Sequence, residues 1–293
     1  MKDQIRRGIV DLGLSDAARA SGVAVFPFAS GLFELFRVDL PSTSRAPARS
    51  LIVKCVSSLD MAEAEWDGLV RLREAGAVVP ELIGFVKTDS GGRSGALLFL
   101  SMVSGGRGSV RLESLIQIYS TRGESYGYSR DNYIGSLHQR NRRYATFEEF
   151  WAQDRIFPQL NMVISAGLLT QKDLENARRV LDIASGWELS QPGPRLIHGD
   201  LWNGNLLIDS DMNPVLIDPS VSYSHPEQDL AMLELFGSPL SSSDLDLLAR
   251  ETGLPAGRIE RRDFFQLYPL LVHVNLFGAS YVSQARRAIG RYL

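Results

Sequence analysis

Residues 196–220 read LIHGDLWNGNLLIDSDMNPVLIDPS, and this stretch carries the densest polar pattern in the chain. Its two apolar runs, Leu206–Ile208 and Val215–Ile217, have the length and composition of strands and are separated by a polar turn segment. We predict an antiparallel hairpin in which position 206 faces position 217. In that register Asn205 stands opposite Asp218, with their Cα atoms about 5 Å apart.

Polar residues cluster just outside the ends of this hairpin. Asn205 and Asp218 offer an amide oxygen and a carboxylate, which can share one hard cation such as Mg²⁺. Asp200 lies five residues before Asn205 and is placed to accept a proton from a hydroxyl that attacks a metal-bound phosphate. His198 is better placed to brace this loop than to react.

The spacing H-x-D-x-x-x-x-N, followed by an aspartate at the end of the next strand, is typical of protein-kinase-like phosphotransferases. Aspartate and asparagine at strand ends are also common turn formers, so a lone pair of them would favour an ordinary hairpin. Four residues at matched spacing favour the catalytic interpretation.

Composition limits the other classes of function. The chain has 293 residues, 31 basic and 34 acidic side chains, and a hydrophobic fraction of 44%. This balance excludes the broad basic surface of a dedicated nucleic-acid binder. Cys55 is the only cysteine, which excludes an intrachain disulfide, and it is expected to be a small core residue. We expect a cytoplasmic protein without a membrane partner, either a monomer or a weak dimer, because no export signal or spanning segment is visible.

The pattern along the chain predicts an α+β protein with two lobes. A β-rich lobe with one embedded helix covers residues 1–103, and a mainly helical lobe with a β hairpin covers residues 104–293. The Gly/Ser segment at 104–109 is interpreted as the hinge between them. The predicted strands of the first lobe are Val23–Phe28, Leu32–Asp39, Leu51–Val56, Leu82–Lys87 and Ala96–Met102, with a helix over Met61–Ala75. The predicted helices of the second are Phe147–Leu160, Gln171–Ile183, Pro226–Phe236, Ser242–Glu251, Arg261–Phe277 and Ser280–Tyr292.

Lys54 lies inside the apolar run LIVKCV, where an unpaired ammonium would be costly to desolvate. Glu65 on the following helix can pair with it, as a lysine and a helix glutamate do at the phosphates of ATP in kinases. A lysine that extends from a sheet edge into water is the alternative. No Gly-rich phosphate loop occurs, and only Ser30 and Gly31, between two predicted strands, could cover the phosphates.

HGDLWNGN at 198–205 and VLIDPSVSYSHPEQDLAMLELFG at 215–237 resemble the fructosamine kinase (ketosamine-3-kinase) family, a branch of the kinase-like fold near aminoglycoside phosphotransferases and choline kinases. The resemblance continues in DNYIGSLHQRN at 131–141, FEEFWAQDRIFPQL at 147–160 and YPLLVHVNLFGASY at 268–281, so it covers nearly the whole chain. Tyr119 stands where the family usually has histidine, and Phe147 where it usually has tryptophan.

The resemblance implies ATP and Mg²⁺ as cofactors and a ketosamine, small or protein-bound, as substrate. It implies Asp200 as catalytic base, Asn205 and Asp218 as magnesium ligands, and Lys54 with Glu65 as the phosphate-holding pair. The adenine would contact the backbone near Leu100–Val103, between the lobes.

Four further residues are substrate candidates. Trp202 could pack against a sugar face or fill a core. Gln139 and Asn141 match the family's Q-x-N and either order the insert or touch substrate. His273 is a core histidine on an apolar helix or a substrate contact. His225, Glu227 and Asp229 are expected to brace the catalytic loop.

Two alternatives to a ketosamine kinase stay open at this point. A related kinase could phosphorylate another hydroxylated amine, such as an aminoglycoside or a choline-like compound. A nucleotide-binding scaffold without turnover is the second alternative, and the complete set of catalytic residue types argues against it. The basic run of Arg140, Arg142 and Arg143 could contact an anionic group or form an ordinary solvated surface.

Overall fold

The computed structural model describes residues 1–42, 47–90, 93–106 and 110–293. These residues divide into two compact units: unit 1 comprises Met1–Asp67 and Val79–Gly105, and unit 2 comprises Gly68–Val78 and Gly106–Leu293. Part of the segment interpreted as a hinge, residues 107–109, lies outside the described residues.

Unit 1 is built on a five-stranded antiparallel sheet with the strand order β1-β2-β3-β5-β4. All five strands predicted for this part of the chain are confirmed, with ends shifted by a few residues. The strands are β1 (Ala24–Ser30), β2 (Glu34–Leu40), β3 (Arg49–Val56), β4 (Leu82–Ser90) and β5 (Arg93–Ser101).

Two helices use opposite faces of this sheet because side chains alternate along a strand. Helix α1 (Lys2–Asp11) buries Ile5 and Ile9 in one cluster with Leu51 and Val53 of β3. Lys54, the residue after Val53, faces the other way and meets helix α3 (Leu59–Glu74). Helix α1 was not predicted, although its Ile5-Ile9-Leu12 spacing is helical. It is followed by the short helix α2 (Ala17–Ala20).

Unit 2 is mainly helical, and its predicted helices are confirmed, with ends shifted by up to five residues. Helix α4 was not predicted, the last helix is shorter than expected, and the first predicted helix is divided by a π-helical turn. The helices are α4 (Glu113–Ser120), α5 (Phe147–Phe150), α6 (Phe157–Ser165), α7 (Gln171–Ala184), α8 (Glu227–Leu235), α9 (Ser242–Glu251), α10 (Arg258–Phe277) and α11 (Val282–Gly290).

The π-helical turn, Trp151–Ile156, connects α5 to α6. Pro158 follows it and has no N–H to donate, so the regular helical ladder cannot run through this point. The turn contributes Trp151, which is fully buried and packs on Phe147 and Phe265 at ring-centroid distances of 5.5 and 5.7 Å. This aromatic cluster forms the centre of the unit 2 core and supports α10.

Three short strand pairs interrupt the helices of unit 2, and one of them is the predicted hairpin. Strand β8 pairs with β11, β9 with β10 and β6 with β7, all antiparallel. Their bounds are β6 (Asn132–Ile134), β7 (Leu137–Gln139), β8 (Arg195–Ile197), β9 (Leu206–Ile208), β10 (Pro214–Leu216) and β11 (Ser222–Ser224). The mixture of sheet and helices confirms the predicted α+β class. Within the described ranges, no helix has the length and apolar character needed to cross a bilayer.

Candidate active site

The β9–β10 hairpin has a register that differs by one residue from the prediction. Leu206 stands opposite Leu216, and the Ile217 N–H donates to the Asn205 carbonyl oxygen at 3.1 Å. Asn205 therefore faces Ile217, and the prediction that it faces Asp218 was wrong.

The turn between the two strands sets this register. The Asp209 N–H donates to the Asn213 carbonyl at 3.1 Å, so the turn holds an odd number of residues. The Asp209 carboxylate accepts hydrogen bonds from the backbone N–H groups of Asp211 and Asn213, both at 2.9 Å. Hydrogen bonds from the backbone N–H and the side-chain amide of Asn213 lower the pKa of this carboxyl and stabilise its charged form. Sequence spacing alone does not distinguish this odd turn from an even one.

Asp200 and Asn205, predicted as base and metal ligand, are in direct contact. The Asn205 amide nitrogen donates to the Asp200 carbonyl at 2.9 Å and to Asp200 Oδ2 at 3.1 Å. Asn205 is buried and Asp200 is half-buried. The amide therefore holds the orientation of the carboxylate that is expected to accept the proton.

His198 braces this loop, as predicted. Its Nε2 lies 2.9 Å from the Ile217 carbonyl, and the Asp200 N–H donates to its Nδ1 at 3.3 Å. These two partners require a neutral ring with the proton on Nε2. Burial lowers the pKa of His198 to about 4, so the ring stays neutral at physiological pH.

The segment after β10 is tied to the same loop. The Ser220 N–H donates to the His198 carbonyl at 2.9 Å. Gly199 has φ +84°, and a Cβ there would lie 2.1 Å from the Ser220 carbonyl oxygen. Asp218 has φ +54°, a left-handed conformation that costs a non-glycine residue about 1 kcal/mol or more and is found preferentially at functional sites.

Asp229 of helix α8 anchors the backbone of the loop that carries His198 and Asp200. Its Oδ2 accepts the His198 N–H at 2.7 Å, and its Oδ1 accepts the Gly199 N–H at 2.9 Å. Tyr119 donates its hydroxyl to the same carboxylate at 3.2 Å. Burial raises the pKa of Asp229 to about 7, against the effect of these hydrogen bonds.

Of the three residues expected to brace the loop from this helix region, Asp229 has the expected contacts. Glu227 instead pairs with Arg261 at 2.5 Å. His225 packs on Phe265 with ring centroids 5.1 Å apart. Both support the packing of α8 against α10.

The predicted ion pair of Lys54 and Glu65 is confirmed in unit 1. Lys54 Nζ lies 2.8 Å from Glu65 Oε2, and both side chains are more than nine-tenths buried. Phe33, which the sequence did not single out, places its ring centroid 4.6 Å from the ammonium. A buried, oriented ammonium of this kind suits a phosphate group.

The other residues of unit 1 predicted to bind nucleotide lie on or beside the same sheet. Ser30 ends β1 and Gly31 follows it, both exposed in the connection to β2. Leu100 lies inside β5, paired with Ile52 and Leu82, so its backbone groups belong to the ladder. Val103 follows the end of that strand.

Gln139 and Asn141 are each 2% exposed and belong to an internal amide network. Both donate to the Asn132 side chain at 2.8 Å. Gln139 also accepts the Tyr268 hydroxyl at 2.5 Å, and Asn141 accepts from Arg155 at 2.6 Å. Of the two predicted roles, this burial favours ordering of the insert over contact with substrate.

Trp202 and His273 belong to a partly exposed aromatic cluster in unit 2. Trp202 is 39% exposed, and its ring lies 6.4 Å from Phe236. Phe236 packs on His273 at 4.4 Å, and His273 lies 5.0 Å from Tyr281. Gly204 leaves room for this arrangement, because a Cβ there would meet the Trp202 ring at 2.3 Å.

Phe236, Phe277 and Tyr281 of this cluster were missed by the sequence analysis. Phe277 is 53% exposed and its ring lies 5.4 Å from His273. The spacing of four residues from His273 to Phe277, and again to Tyr281, is the signal that could have identified these two residues. A half-exposed aromatic surface beside Trp202 suits the apolar face of a sugar.

The donor set near the hairpin fits a hard cation that keeps other ligands. Asn205 and Asp218 supply oxygen atoms, and the described part of the chain contains no cluster of three His, Cys, Asp or Glu residues able to enclose a metal. Mg²⁺ is commonly held by one or two protein oxygens together with waters and phosphate oxygens. The residues present therefore fit a nucleotide-bound magnesium ion better than a closed structural metal site.

Replacing Gly199 with alanine should destabilise the loop, because the added Cβ meets the Ser220 carbonyl in a left-handed conformation. We expect the free energy of unfolding, measured in urea, to fall by about 2 kcal/mol or more. Gly186→Ala is the matched control, since a Cβ there meets nothing within 4 Å, and it should change stability by less than about 0.5 kcal/mol. Equal stabilities of the two variants would contradict the close approach.

His198 should make the stability of the protein depend on pH. Its folded pKa of about 4 lies below the unfolded value of 6.5, so its contribution is present above pH 6.5 and is lost as the pH falls towards 4. Between pH 7.5 and 5, wild type should lose about 2 kcal/mol more unfolding free energy than His198→Gln. Asp229, whose pKa is raised, titrates in the opposite sense in both proteins, so the difference isolates His198. Parallel pH profiles would contradict a buried neutral imidazole.

Solved structures resemble this one closely. A protein from Thermobifida fusca, assigned as a fructosamine-3-kinase, matches with a TM-score of 0.77 and 34% identity over 94% of this chain and 99% of its own. An aminoglycoside phosphotransferase crystallised with ADP and hygromycin B matches with a TM-score of 0.56 over 92% of this chain and 94% of its own. Its identity is 14%, so it shows the kinase-like fold alone.

Sequence comparisons agree with the structural ones. An Enterococcus faecium protein described as a probable ketoamine kinase is 34% identical over 237 residues, covering 78% of this chain and 82% of its own length. A chloroplastic protein-ribulosamine 3-kinase of rice is 35% identical over 58% of this chain and 49% of its own length. The fructosamine kinase family model matches residues 47–293. The chain therefore belongs to the fructosamine kinase family.

Proposed function

We propose that this protein is an ATP-dependent kinase that phosphorylates the 3-hydroxyl of the sugar in a ketosamine. The observation that carries this proposal is the contact between the Asp200 carboxylate and the Asn205 amide in a loop fixed by Asp229. Relatives named as ketoamine and ribulosamine kinases support the substrate class. Phosphorylation at this position would begin the removal of sugar adducts from amines in the cytoplasm.

Asp200 would act as the general base. It would accept the proton of the sugar hydroxyl as that oxygen attacks the terminal phosphorus of ATP. The Asn205 amide orients the carboxylate through its bond to Oδ2, and the His198 ring fixes the backbone of Asp200. The base would thus be held in place before the substrate binds.

Asn205 and Asp218 would hold magnesium, which would neutralise charge on the phosphates of ATP. The left-handed backbone of Asp218 turns the chain directly after Ile217, whose N–H and carbonyl are both bonded to the catalytic loop. Asp218 is thus presented by a fixed backbone.

Asp218→Ala should remove the magnesium dependence of nucleotide binding.

Lys54 would contact the phosphates of ATP, with Glu65 holding the ammonium in place. Ser30, Gly31 and Val103 would lie against the nucleotide. Trp202 and His273 would contact the ketosamine, because their aromatic cluster is exposed on the same unit as Asp200. Gln139 and Asn141 would order the residues around Ser220 without touching substrate.

Removal of the base should slow turnover strongly. With ribulose-lysine or fructose-lysine and Mg-ATP, Asp200→Asn should lower kcat by about 10²- to 10⁴-fold in a coupled ADP-release assay. Asp211→Asn, an exposed aspartate in the turn of the same hairpin, should retain wild-type kcat. Robust turnover by Asp200→Asn would refute the assignment of the base. A wild-type protein that binds ATP but phosphorylates no amine sugar would refute the proposed function.

Arginine should not replace Lys54, because a planar guanidinium does not reproduce a compact ammonium between Glu65 and a phosphate. We expect Lys54→Arg to lower kcat/KM for ATP by about tenfold or more. Lys87→Arg is the matched control, since Lys87 lies on β4 of the same sheet and its pair with Asp89 is exposed. Similar ATP kinetics for the two variants would show that position 54 requires only a positive charge.

A further inference from the structure

Unit 2 contains a concave site that is lined by none of the residues assigned above to phosphoryl transfer or to the ketosamine. The cavity has a volume of about 370 Å³, within the range of small-molecule sites. We call it the arginine pocket after the three arginines in its wall, and its principal residues are Arg71, Arg122, Arg143, Ser125, Ser129 and Tyr223.

The arginine pocket has an excess of positive charge. Glu124 is the one acidic residue in its lining, against three guanidinium groups, of which that of Arg71 forms an ion pair with Glu74 at 3.3 Å. Arg71 is held in place by the Tyr223 hydroxyl, which accepts from its Nε at 3.1 Å. Among the described residues, Arg122 and Arg143 have no side-chain hydrogen bond or ion pair. Burial is the largest cause that lowers the pKa of Arg195, and the nearby positive charge of Arg122 is the second. Two of the three guanidinium groups are therefore available to an anion.

The basic run noted in the sequence is divided between two roles. Arg142 donates to the buried Asp154 carboxylate at 2.6 Å and is thereby occupied. Arg143, the next residue, lines the pocket. Both residues are exposed, but Arg142 bonds to a buried carboxylate whereas Arg143 lines a concave site together with two arginines that are distant in sequence.

The walls of the pocket are fixed by backbone hydrogen bonds. Gly127 and Tyr223 form a bridge in which each N–H donates to the other's carbonyl, at 3.0 and 2.8 Å. The Gly123 N–H donates to the Pro194 carbonyl at 3.0 Å. Gly127 has φ +107°, and a Cβ there would lie 2.0 Å from the Arg142 carbonyl oxygen. A site held in this way binds a ligand without first having to order its own loop.

The lining indicates the chemistry of the ligand. Guanidinium groups recognise phosphate through paired, charge-assisted hydrogen bonds. Glu124 would repel a polyanion but accepts hydrogen bonds from hydroxyl groups, as Ser125 and Ser129 also can. Tyr128 and Tyr223, with ring centroids 6.3 Å apart, add aromatic surface. We propose that the arginine pocket binds a small sugar phosphate, with the phosphate on Arg122 and Arg143 and the hydroxyls on Glu124 and the serines.

Calorimetric titration with ribose 5-phosphate tests this proposal, with saturating Mg-ADP present so that the nucleotide site is filled. Wild type should bind the sugar phosphate, whereas Arg122→Gln/Arg143→Gln should bind it at least about tenfold more weakly. Arg179→Gln/Arg250→Gln removes two other exposed arginines of unit 2 and should bind like wild type. Absence of binding to wild type, or equal loss in both double variants, would overturn the proposal.

Glu124→Gln provides a second test that does not remove the arginines. Removing the repulsive carboxylate should tighten binding of inorganic phosphate, and it should reduce the preference for ribose 5-phosphate over inorganic phosphate. Ribose without phosphate should not bind measurably to wild type. Unchanged affinities for both phosphates in Glu124→Gln would contradict a role for this carboxylate and with it the assignment of a sugar phosphate.

Discussion

The buried carboxylate of Asp229 accepts the backbone N–H groups of His198 and Gly199, and the geometry of the candidate active site depends on these two bonds. A buried N–H without a partner costs about 1–3 kcal/mol, so moving the loop away from this carboxylate would be strongly unfavourable. With the loop fixed, the His198 carbonyl accepts a hydrogen bond from the Ser220 N–H, and the His198 ring accepts one from the Asp200 N–H. One side chain on α8 thus fixes the loop that contacts both Asp200 and the segment after β10.

Burial and hydrogen bonding have opposite effects on the pKa of Asp229, and Tyr119 contributes one of these hydrogen bonds. Burial raises the pKa of the carboxyl to about 7, while the two N–H donors and the tyrosine hydroxyl favour the charged form. Tyr119 stands at the position where the resemblance to the family leads one to expect histidine. Its hydroxyl donates to Asp229 at 3.2 Å, so this side chain supplies a third donor to the carboxylate.

Some features of the site could be predicted from the sequence because they follow from local periodicity. Strand alternation turns Lys54 away from Leu51 and Val53, so its pairing with Glu65 on the next helix could be expected. The hairpin itself also followed from its apolar runs. Its register did not, because the Asp209 side chain fixes an odd turn that spacing alone leaves open. Trp202 and His273 were candidates from the sequence, but Phe236, which joins the two rings, was missed because it meets them through tertiary contacts.

The proposed reaction transfers the terminal phosphoryl group of ATP to the 3-hydroxyl of a ketosamine. The most direct measurement is a proton–phosphorus NMR correlation on the product formed from ribulose-lysine and Mg-ATP. We expect a new phosphate ester whose phosphorus couples to the proton at carbon 3 of the sugar. A phosphate on another hydroxyl, or release of inorganic phosphate and ADP at a rate independent of the sugar, would contradict it.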